Sequence, residues 1–576
     1  EIHWRDWSSD VCSSDLTACP DWAGKLRRGE SIIPPPIFPE RAEEALRVFK
    51  ALRIVDAPGS PTFGEACDQW VFDVVASIFG AYDQDSGRRL ITEWFILVPK
   101  KNSKSTIAAG IMMTALVLNW RQSAEFSIIA PTVEIANNSF APARDMCLDR
   151  MDEELAALMY AQTHVKTITN RGTGAALKVL AADNNTVGGK KGVGTLIDEL
   201  WLFGKVADAE NMLREATGGL ASRPEGFTIY LTTQSDDPPA GVFKQKLQYA
   251  RDVRDGKIDD PRFVSVIYEF PKEMIDAGEH LDPANFEMVN PNMGYSVDRE
   301  FIEREYRKAQ NDGAESMRGF LAKHLNVEIG LSLASDRWAG ADYWERQGRA
   351  VTLDELLQRS EVVTVGIDGG GLDDLLGLAA IGREPVTGKW LHWAHAWAHP
   401  VVLDRRRDIA ARLRDFEADG DLTIVASLPD DVSELADIVQ RLHESGLLAQ
   451  IGCDPAGIGT IVQAIAERGI DPERIVGVSQ GWRMNGAIKT TERKLAEGGM
   501  EHGSTGLMAW AVGNARIEPK GNAISITKQT SGSAKIDPLM ATFNAVELMS
   551  RNPQASGNAA FFGFLAARRE AAEATA

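Results

Sequence analysis

The chain has 576 residues, of which 44% are hydrophobic and 25% are charged, a composition typical of globular proteins that excludes a largely disordered chain. Because one domain usually holds about 100–200 residues, at least two large units are expected. The formal net charge of −20 excludes a surface that coats nucleic acid with uniform positive charge. Local basic stripes can still contact phosphates, and two are present, KLRRGE (25–30) and RRRDIAARLR (405–414).

Five cysteines are scattered along the chain without a CxxC pair, so the sequence predicts neither a zinc ribbon nor a disulfide framework. This pattern fits a reducing cytoplasm. No apolar run is long enough to span a membrane, and the chain does not start like a signal peptide. We therefore expect a cytoplasmic protein that does not associate with membranes.

Residues 6–16, DWSSDVCSSDL, are treated separately because they resemble the translation of a sequencing-adapter oligonucleotide. We interpret residues 1–19 as an adapter-like or disordered start and exclude them from the fold prediction. The alternative is a natural serine-rich tail. Neither interpretation gives this segment a function.

The first half of the chain alternates short apolar strands with helices. A Pro-rich lead-in (31–40) precedes one helix over 40–52 and another over 63–80. A long helix is predicted over 105–120, and strands are predicted over 93–99, 126–131, 195–200 and 228–233. Such alternation indicates a largely parallel sheet covered by helices on both faces.

A second series of strands begins near residue 361. The preceding stretch, 256–345, is rich in charge, Pro and Asn, and within and just beyond it FLAKHLNVEIG (320–330) and DRWAGADYWERQ (336–347) predict a helical connection and then a linker. A final helix is predicted over 537–550, and strands are predicted over 361–371, 375–382, 389–397 and 449–455. The tail over 566–576 is predicted to be helical or frayed.

A candidate phosphate-binding loop, VPKKNSKST (98–106), follows a predicted strand and opens a long helix. Backbone N–H groups at a helix N-terminus attract phosphates, Lys104 can reach the β- and γ-phosphates, and the Ser105 hydroxyl can ligate Mg²⁺. The other candidate nucleotide contacts of the loop are Lys101, Asn102, Ser103 and Thr106. Val98 and Ser103 stand where such loops usually have glycine. Taken alone, the match is weak, and a basic turn before a buried helix explains it better.

Two adjacent carboxylates end the predicted strand in GVGTLIDELW (192–201). Hydrolysis of ATP requires a Mg²⁺ ligand and a group that orients or deprotonates the attacking water, and both belong at a strand end beside the phosphate loop. We therefore predict that Asp198 holds Mg²⁺ through water and that Glu199 acts on the attacking water. In TTQS (232–235), Thr232 and Thr233 are placed to sense the γ-phosphate, although this pattern by itself is not specific.

Three aspartates of the second half lie far apart in sequence. Asp368 ends the strand TVGID, Asp454 ends AQIGCD, and Asp537 starts the last helix. If the fold gathers them, their carboxylates can hold two Mg²⁺ or Mn²⁺ ions about 4 Å apart and support phosphodiester cleavage. From spacing alone, roles as helix caps or turn residues explain the three aspartates equally well.

The order Lys-Asn-x-Lys-Ser, then Ile-Asp-Glu, then Thr-Thr-x-Ser resembles the large-subunit terminases of tailed phages. That family usually has Gly before the loop lysine, so Ser103 is a departure. The family also contacts adenine through a Gln ahead of the loop, which makes Gln69 the candidate, beside the alternative of an ordinary amphipathic helix. The trans-acting arginine of such motors is not assignable, because Lys190, Lys191 and Arg223 are all candidates or plain surface charges.

The second half resembles the RNase H-like nuclease domain of the same family. The matching segments are 367–382, 453–459, SQGW (479–482) and the tract from 501 to 549. The resemblance implies that Asp368, Asp454 and Asp537 are catalytic and bind metal. Five further residues fit the pattern and are expected to position other groups: His502, Trp510, Asn514, Lys528 and Lys535.

The turn after Asp368 departs from the family pattern. GGG (369–371) replaces the Ser or Thr that often follows the first aspartate and leaves a bare, flexible turn. Asp373 and Asp374 follow this turn, and they either supply an extra metal ligand or merely solvate the loop.

The resemblance covers about residues 30–555 and implies an α/β chain in two domains. We predict a P-loop NTPase domain with a mostly parallel sheet over 20–335, a linker over 336–357, an RNase H-like α/β nuclease domain over 358–555 and a tail over 556–576. The implied cofactors are ATP and Mg²⁺, with Mn²⁺ as an alternative ion in the nuclease site. The implied partners are double-stranded DNA, a portal protein, a terminase small subunit and further copies in a homo-oligomeric ring on the procapsid, in the host cytoplasm.

By this resemblance, the ATPase drives viral genome packaging and the endonuclease cuts concatemeric bacteriophage DNA. Two other classes stay open. A helicase-like nucleic-acid translocase whose second domain does not cut would hydrolyse ATP without metal-dependent nicking. A non-enzymatic structural component with a degenerate P-loop would not hydrolyse ATP.

Overall fold

The structure is a computed structural model that describes residues 16–148, 151–181, 192–206, 209–329, 338–455, 458–520, 523–528 and 535–554. The chain divides into two compact units, Glu1–Ile329 and Gly330–Ala576. The predicted tail over 556–576, Lys190, Lys191 and nearly all of the adapter-like start lie outside the described residues. The domain boundaries drawn from the sequence stay predictions. In the described part of the chain, no helix is both long and apolar enough to cross a membrane.

An eight-stranded sheet forms the centre of the first unit. A small two-stranded ribbon precedes it, and the strands in chain order are β1 (Tyr82–Asp83), β2 (Arg88–Arg89), β3 (Glu93–Leu97), β4 (Glu125–Ala130), β5 (Met159–Gln162), β6 (Thr167–Asn170), β7 (Ala176–Ala181), β8 (Gly192–Asp198), β9 (Phe227–Thr232) and β10 (Phe263–Ile267). Across the large sheet the order is β10–β3–β9–β8–β4–β7–β6–β5. All pairs from β10 to β7 are parallel, and the pairs of β6 with β7 and β5 are antiparallel. The predicted mostly parallel sheet is confirmed.

Helices cover both faces of this sheet. They are α1 (Trp22–Arg27), α2 (Pro39–Ala51), α3 (Phe63–Ala66), α4 (Gln69–Phe79), α5 (Lys104–Val117), α6 (Val133–Met146), α7 (Glu153–Leu158), α8 (Leu200–Phe203), α9 (Ala209–Gly218), α10 (Gly241–Arg254), α11 (Lys272–Asp276), α12 (Phe286–Val289), α13 (Arg299–Asp312) and α14 (Ala314–Leu325). Short 3₁₀ turns occupy Gly219–Ser222, Glu279–Leu281 and Pro283–Asn285.

The apolar run of β3 is buried on two sides because successive side chains of a strand point to opposite faces. Trp94 and Ile96 join the core that α4 and α5 line. Phe95 and Leu97 join a second core that α8 and α10 line. A continuous apolar run such as EWFIL is what a central strand of a doubly covered parallel sheet requires.

Two parts of the first unit were not predicted from the sequence. Phe263–Ile267 lies in the stretch rich in charge, Pro and Asn, where no strand is predicted, yet all of it is buried and forms the edge strand β10 beside β3. The strand is short and flanked by charged and turn residues, which hid it. Thr17 and Cys19, assigned to the start segment, are also buried. The Thr17 hydroxyl donates to the carbonyl oxygen of Asp260, and the Cys19 N–H donates to that of Arg254.

The second unit is built on a seven-stranded mixed sheet and a two-stranded hairpin. Its strands are β11 (Val362–Gly369), β12 (Leu376–Arg383), β13 (Trp390–Ala398), β14 (Leu422–Ile424), β15 (Leu448–Cys453), β16 (Ile475–Gly477), β17 (Met500–His502), β18 (Ala515–Lys520) and β19 (Ala523–Lys528). The sheet order is β14–β13–β12–β11–β15–β16, and β17 also pairs with β13. β11, β12 and β13 are antiparallel neighbours, whereas β15 runs parallel to β11 and β16 parallel to β15. The α/β fold predicted for this half is confirmed.

Helices lie on both sides of the second sheet as well. They are α15 (Ala341–Trp344), α16 (Leu353–Arg359), α17 (Val401–Arg405), α18 (Arg407–Ala418), α19 (Asp430–Glu444), α20 (Gly459–Glu467), α21 (Asn485–Ala496), α22 (Gly506–Asn514) and α23 (Asp537–Met549). Short 3₁₀ turns occupy Glu345–Gln347, Pro472–Arg474 and Gly481–Met484. Val363, Val365 and Ile367 of β11 join a core lined by α16, α19 and α20.

The opposite face of β11 carries α23, which lies against glycines on three neighbouring strands. A Cβ added to Gly366 on β11 would lie 1.9 Å from the carbonyl oxygen of Ala541. One added to Gly377 on β12 would lie 2.9 Å from the backbone of α23, and one added to Gly452 on β15 would lie 3.0 Å from the carbonyl oxygen of Asn544. Helix and sheet are therefore in backbone contact, which fixes where α23 begins.

Gly366→Ala is expected to lower the free energy of unfolding of the second unit by about 1–3 kcal/mol, because the added methyl would overpack the contact with α23. Gly486→Ala is the matched control, since this glycine lies in α21 and an added Cβ meets nothing within 4 Å. Urea or thermal unfolding of both variants measures the difference. Equal stabilities would show that close backbone contact does not hold α23.

Candidate nucleotide and nuclease sites

The phosphate loop of the first unit, residues 98–103, connects β3 to α5, which begins at Lys104. Two of its residues have left-handed backbones, Lys101 with φ 75° and Ser103 with φ 52°. This region is disfavoured by about 1–2 kcal/mol for residues that have a Cβ, which explains why glycine is usual at the position of Ser103. The loop therefore keeps a left-handed bend at this position although serine has replaced glycine.

The side chain of Asn102 holds this loop in place. It is fully buried, and its amide nitrogen donates to the carbonyl oxygen of Pro99 (3.1 Å) and to Asn290 Oδ1 (2.9 Å). Its Oδ1 accepts the backbone N–H of Asn292 at 3.0 Å. The two partner asparagines lie 188 and 190 residues further along the chain. A distant segment thus supplies the hydrogen bonds that fix the loop.

A second layer of hydrogen bonds ties the same segment to its surroundings. Asn292 Oδ1 accepts the indole N–H of Trp70 at 3.2 Å. Asn292 Nδ2 donates to Ser296 Oγ (2.6 Å), which in turn donates to the carbonyl oxygen of Lys101 (2.7 Å). The left-handed residue Lys101 is therefore held from the same direction as Asn102.

Lys104 is buried in the first turn of α5, with 8% of its surface exposed. Its ammonium donates to the carbonyl oxygen of Pro99 at 3.0 Å. Burial lowers the pKa of Lys104 to about 8, and the carboxylates of Glu199 and Asp198 oppose that shift. The predicted phosphate-binding lysine is therefore within electrostatic reach of both predicted acidic residues.

Asp198 and Glu199 meet at the end of β8 and are held differently. Asp198 is buried, and its carboxylate accepts the hydroxyl of Ser139 (2.6 Å) and the backbone N–H of Glu199 (2.9 Å). Burial raises the pKa of Asp198 to about 6. Glu199 has a left-handed backbone with φ 52°, and its carboxylate accepts the indole N–H of Trp201 at 2.6 Å. The pair thus offers one buried carboxylate and one half-buried carboxylate restrained by an indole.

Three neighbouring strands bring these groups to one edge of the sheet. β3, β9 and β8 are parallel neighbours, in which Leu97 pairs with Thr232 and Asp198 pairs with Leu231. Thr232 is buried, and its hydroxyl accepts the backbone N–H of Trp201 at 3.0 Å. The residues predicted from the loop and the two strand ends all lie at this carboxyl edge: Lys101, Asn102, Ser103, Lys104, Ser105, Thr106, Asp198, Glu199, Thr232 and Thr233.

Gln69 begins α4 and lines an open cavity of about 820 Å³. The aromatic side chains of Trp70 and Tyr268 line the same cavity, and so does Asn290, which binds the phosphate loop. The Gln69 side chain is exposed and donates to Asp73 Oδ1 at 2.8 Å. Asn290 therefore connects this cavity to the loop, and the adenine contact of Gln69 stays a prediction.

The trans-acting residue is still unassigned. Lys190 and Lys191 lie outside the described residues. Arg223 precedes β9 and therefore lies at the amino edge of the sheet, opposite to Thr232 at the end of the same strand. Its guanidinium donates to the carbonyl oxygen of Ser222 at 3.0 Å. Arg223 is thus not part of the nucleotide site of its own chain.

In the second unit, Asp368 and Asp454 lie at the ends of adjacent parallel strands. The residues that precede them on β11 and β15 are partners in the sheet register. Asp537 is the first residue of α23 and is buried. A Cβ added to Gly369 would lie 3.4 Å from the Cβ of Asp537, so the helix start lies directly beside the end of β11. The backbone therefore brings three aspartates of distant sequence to one edge of the sheet.

The two aspartates of the following loop are paired with cations. Lys535 is buried, and its ammonium donates to Asp374 Oδ1 (2.7 Å) and to the carbonyl oxygen of Asp373. Arg406 lies 3.2 Å from Asp373 Oδ2. Asn514 donates to the carbonyl oxygen of Lys535 at 3.0 Å. These contacts favour a role for Asp373 and Asp374 in holding the loop. Lys535 and Asn514 make the contacts expected of positioning residues.

His502 and Trp510 belong to the core of the second unit. β17, which contains His502, pairs with the first residues of β13, whereas Asp368 lies level with the last ones. His502 stacks on Trp344 at 3.9 Å, and burial lowers its pKa to about 4. Trp510 packs against Phe416, with 5.6 Å between ring centroids. His502 and Trp510 therefore both contribute to the packing of the core. Lys528 is the last residue of β19.

The positions of the side chains determine whether the nuclease edge can hold a metal ion. Within the described residues, no group of three His, Cys, Asp or Glu side chains is close enough to hold one metal ion. The donor chemistry at the nuclease edge does fit, since carboxylate oxygens are the ligands that Mg²⁺ and Mn²⁺ prefer. The side chains of Asp368, Asp454 and Asp537 thus lie at one edge of the sheet but do not surround a common metal position. Their metal binding stays a prediction.

Two family models match the segments that contain these sites. The model for the terminase large subunit, ATPase domain, matches residues 69–252, and the model for the terminase large subunit, endonuclease domain, matches residues 257–552. The chain belongs to the terminase large subunit family. This terminase therefore carries an ATPase domain and a nuclease domain, as the sequence predicted.

The boundary between the two matches falls inside the first compact unit. The endonuclease match begins at residue 257, but β10 and the helices α11 to α14 follow that position within the first unit. β10 pairs with β3 in the ATPase sheet, so the structure assigns this segment to the ATPase unit of the terminase.

Several individual proteins are similar to this terminase. Protein YmfN of Escherichia coli (strain K12) is 22% identical over 340 residues, which are 57% of this chain and 72% of that protein. The crystal structure of the HK97 bacteriophage large terminase matches with a TM-score of 0.46 and 19% identity, covering 88% of this chain and 99% of that one. The large terminase of the thermophilic bacteriophage D6E matches with a TM-score of 0.29 and 12% identity, covering 81% and 95%. The family assignment rests on the family models.

Four residues that contact groups of the nucleotide site were not predicted from the sequence: Ser139, Trp201, Asn290 and Asn292. Most of them lie far along the chain from the groups that they hold, so no local pattern indicates them. Trp201 is the exception, because an aromatic residue two positions after the predicted catalytic glutamate is visible in DELW.

Ser103→Gly is expected to raise the free energy of unfolding of the first unit by up to about 1 kcal/mol, because glycine adopts a left-handed backbone without strain. ATP hydrolysis should be retained, since the shape of the loop does not change. Ser103→Ala is the control: it lacks the hydroxyl but keeps the Cβ, so it should gain no stability. If both variants unfold at the same temperature, the left-handed backbone of Ser103 does not lower the stability of the first unit.

Proposed function

We propose that this terminase hydrolyses ATP in its first unit to move double-stranded DNA into a procapsid, and that its second unit cuts concatemeric DNA with the help of divalent metal ions. The observation that carries the proposal is that one chain contains two sheets, each of which gathers its own set of polar side chains at one edge. Lys104, Asp198 and Glu199 meet on neighbouring elements of the first sheet. A second sheet brings its own set of carboxylates to the ends of parallel strands.

In the ATPase site, each polar side chain has a distinct task. Lys104, buried beside the loop carbonyl of Pro99, would bind the β- and γ-phosphates. Ser105, on the first turn of α5, would hold Mg²⁺ directly, and Asp198 would hold it through water. Bound Mg²⁺ neutralises negative charge that develops on the phosphates during hydrolysis. Gln69 would contact the adenine from the adjoining cavity.

Glu199 would orient or deprotonate the attacking water. Thr232 and Thr233 would sense the γ-phosphate from the end of the neighbouring strand. The hydroxyl of Thr232 accepts the backbone N–H of Trp201, two residues beyond Glu199. A displacement of the end of β9 when the γ-phosphate is lost would therefore also displace the turn that carries Glu199.

In the nuclease site, Asp368, Asp454 and Asp537 would hold Mg²⁺ or Mn²⁺. Such ions activate water and stabilise the departing oxygen in phosphodiester cleavage. The chain itself supplies the alignment, since Asn544 of α23 donates to the carbonyl oxygen of Ile367 at 2.8 Å, immediately before Asp368.

The proposed partners are double-stranded DNA, a portal protein, a terminase small subunit and further copies of this chain in a ring on the procapsid, in the host cytoplasm. A ring reconciles the net charge of −20 with DNA binding, because basic residues need only face the channel. The two basic stripes are partly neutralised within the chain: Arg28 pairs with Glu30, and Arg414 pairs with Glu417.

Glu199→Ala and Asp454→Ala are expected to separate the two activities. Glu199→Ala should lower DNA-stimulated ATP hydrolysis on the order of 10²-fold or more, because it removes the group that acts on water, and should leave plasmid cleavage unchanged. Asp454→Ala should abolish metal-dependent cleavage and leave ATP hydrolysis unchanged. Both activities are measured on one preparation of the full chain.

Glu273→Ala and Asp419→Ala serve as matched controls, since both carboxylates are exposed and lie outside the two sites. They should retain both activities. Full activity of Glu199→Ala and Asp454→Ala would contradict the proposal. ATP hydrolysis by the wild type without any cleavage would favour a translocase that does not cut. If the wild type does not hydrolyse ATP and Lys104→Ala alters no activity, the results would favour a structural component.

A chelator is expected to abolish plasmid cleavage, and added Mg²⁺ or Mn²⁺ should restore it, because the carboxylates alone cannot activate water. Asp368→Asn should raise the metal concentration needed for half-maximal cleavage, since it removes one negative charge from the site. Asp419→Asn should leave that concentration unchanged. Cleavage that persists in chelator, or identical metal dependence of the Asp368 variant and the wild type, would show that these carboxylates do not bind the metal.

A further inference from the structure

Trp201 connects the proposed catalytic carboxylate to the neighbouring strand. Its indole N–H donates to Glu199 Oε2 at 2.6 Å, and its backbone N–H donates to the Thr232 hydroxyl at 3.0 Å. The indole is only half-buried, so it is not simply a core residue. The two hydrogen bonds together restrict where the carboxylate of Glu199 can lie.

Lys323, near the end of α14, lies over the ring of Trp201. Its Nζ is 3.1 Å from the ring centroid and donates to the carbonyl oxygen of Gln234 at 3.0 Å. A cation over the face of a tryptophan is attracted by the ring electrons, which restrains the ring. Asp236 lies 3.9 Å from this ammonium, and the Nζ of Lys205 is 5.4 Å from the same ring centroid. Lys323 is therefore the closer of the two cations.

The end of α14 also contacts the phosphate loop and the end of β9. The carbonyl oxygen of Lys323 accepts the backbone N–H of Lys100 at 2.7 Å. Asn326, three residues later, accepts the backbone N–H of Gln234 on its Oδ1 (3.1 Å) and donates to the carbonyl oxygen of Tyr268 (2.9 Å). One short segment thus joins the loop, the strand end after Thr232 and the ring that binds Glu199.

We propose that Trp201 and Lys323 are positioning residues for ATP hydrolysis. Trp201 holds the Glu199 carboxylate by its hydrogen bond, and Lys323 holds the Trp201 ring and connects it to the phosphate loop. Both residues act through Glu199, so the inference rests on the proposed role of that glutamate.

The restraint has a direct consequence for the reaction. A free glutamate side chain has several staggered rotamers and spends only part of its time in any one of them. The bond from Trp201 engages one carboxylate oxygen and leaves the other to act on water. Because the carbonyl oxygen of Lys323 accepts the backbone N–H of Lys100, the ring and the carboxylate are held in a fixed position relative to the phosphate loop. A misplacement of about 1 Å costs on the order of 10²-fold in rate.

Steady-state ATP hydrolysis by the full chain, in the presence of DNA, tests the proposal. Trp201→Phe keeps a ring under Lys323 but lacks the N–H, so kcat should fall on the order of 10-fold or more while KM for ATP stays within about threefold. Lys323→Met removes the cation and should lower kcat in the same way. Lys323→Arg keeps a cation over the ring and should recover most of the activity.

Trp120→Phe and Lys50→Met are matched controls in the same unit. Trp120 is an exposed tryptophan, and Lys50 lies over the ring of Phe72 with its Nζ 4.2 Å from the centroid. Both variants should keep the wild-type kcat and KM. Thermal unfolding of every variant shows whether the fold is intact.

Glu199→Ala separates failure of this inference from failure of the proposed function. In that background, Trp201→Phe should cause no further loss, because the indole acts only through the carboxylate. If Glu199→Ala itself hydrolyses ATP normally, the proposed role of Glu199 is wrong. If Glu199→Ala is inactive while Trp201→Phe and Lys323→Met keep the wild-type kcat, or change only KM and the unfolding temperature, the inference alone is overturned.

Discussion

The buried side chain of Asn102 is the constraint on which the ATPase site depends. Phosphate loops usually bend with glycine, whereas this loop keeps a left-handed backbone at Ser103. Asn102 offsets that strain through hydrogen bonds to the loop itself and to Asn290 and Asn292, and all three asparagines are buried. A fully satisfied polar network of this kind is costly to break, because each buried group left unpaired loses its hydration without compensation. The rigid loop then sets the start of α5, and with it the lysine that faces the two acidic residues at the end of β8.

Both units place their chemistry at the carboxyl ends of parallel strands and hold it with an element from far along the chain. In the first unit that element is the segment 290–296, together with the end of α14. In the second unit it is α23, which rests on glycines of three strands and donates from Asn544 to the strand that ends in Asp368. The strands fix where the candidate carboxylates lie, and the distant element holds the backbone next to them.

The placement of the candidate site residues could be predicted from the sequence to a much greater extent than that of the residues that contact them. Parallel strands end at a common edge, so Asp198, Thr232 and the loop were expected to meet, and the register of β11 and β15 likewise brings Asp368 and Asp454 together. The contacts of Asn102 span 188 and 190 residues, and no periodic pattern encodes a pair at such a separation. β10 was hidden because a short buried run stood among charged and turn residues. The sequence also predicts a shared metal site, but backbone placement alone leaves the side-chain rotamers of the three aspartates undetermined.

Amide hydrogen exchange at Asn292 tests the central claim most directly, since its N–H donates to Asn102 Oδ1 at 3.0 Å. If Asn102 holds the loop in advance, this amide exchanges slowly in the nucleotide-free protein. In Asn102→Ala it loses that protection, while the amides of β3 are unchanged and the exposed-site control Asn311→Ala behaves as the wild type. Rapid exchange in the wild type that becomes slow only after an ATP analogue is added would contradict the account, because the loop would then be formed by the nucleotide and not by Asn102.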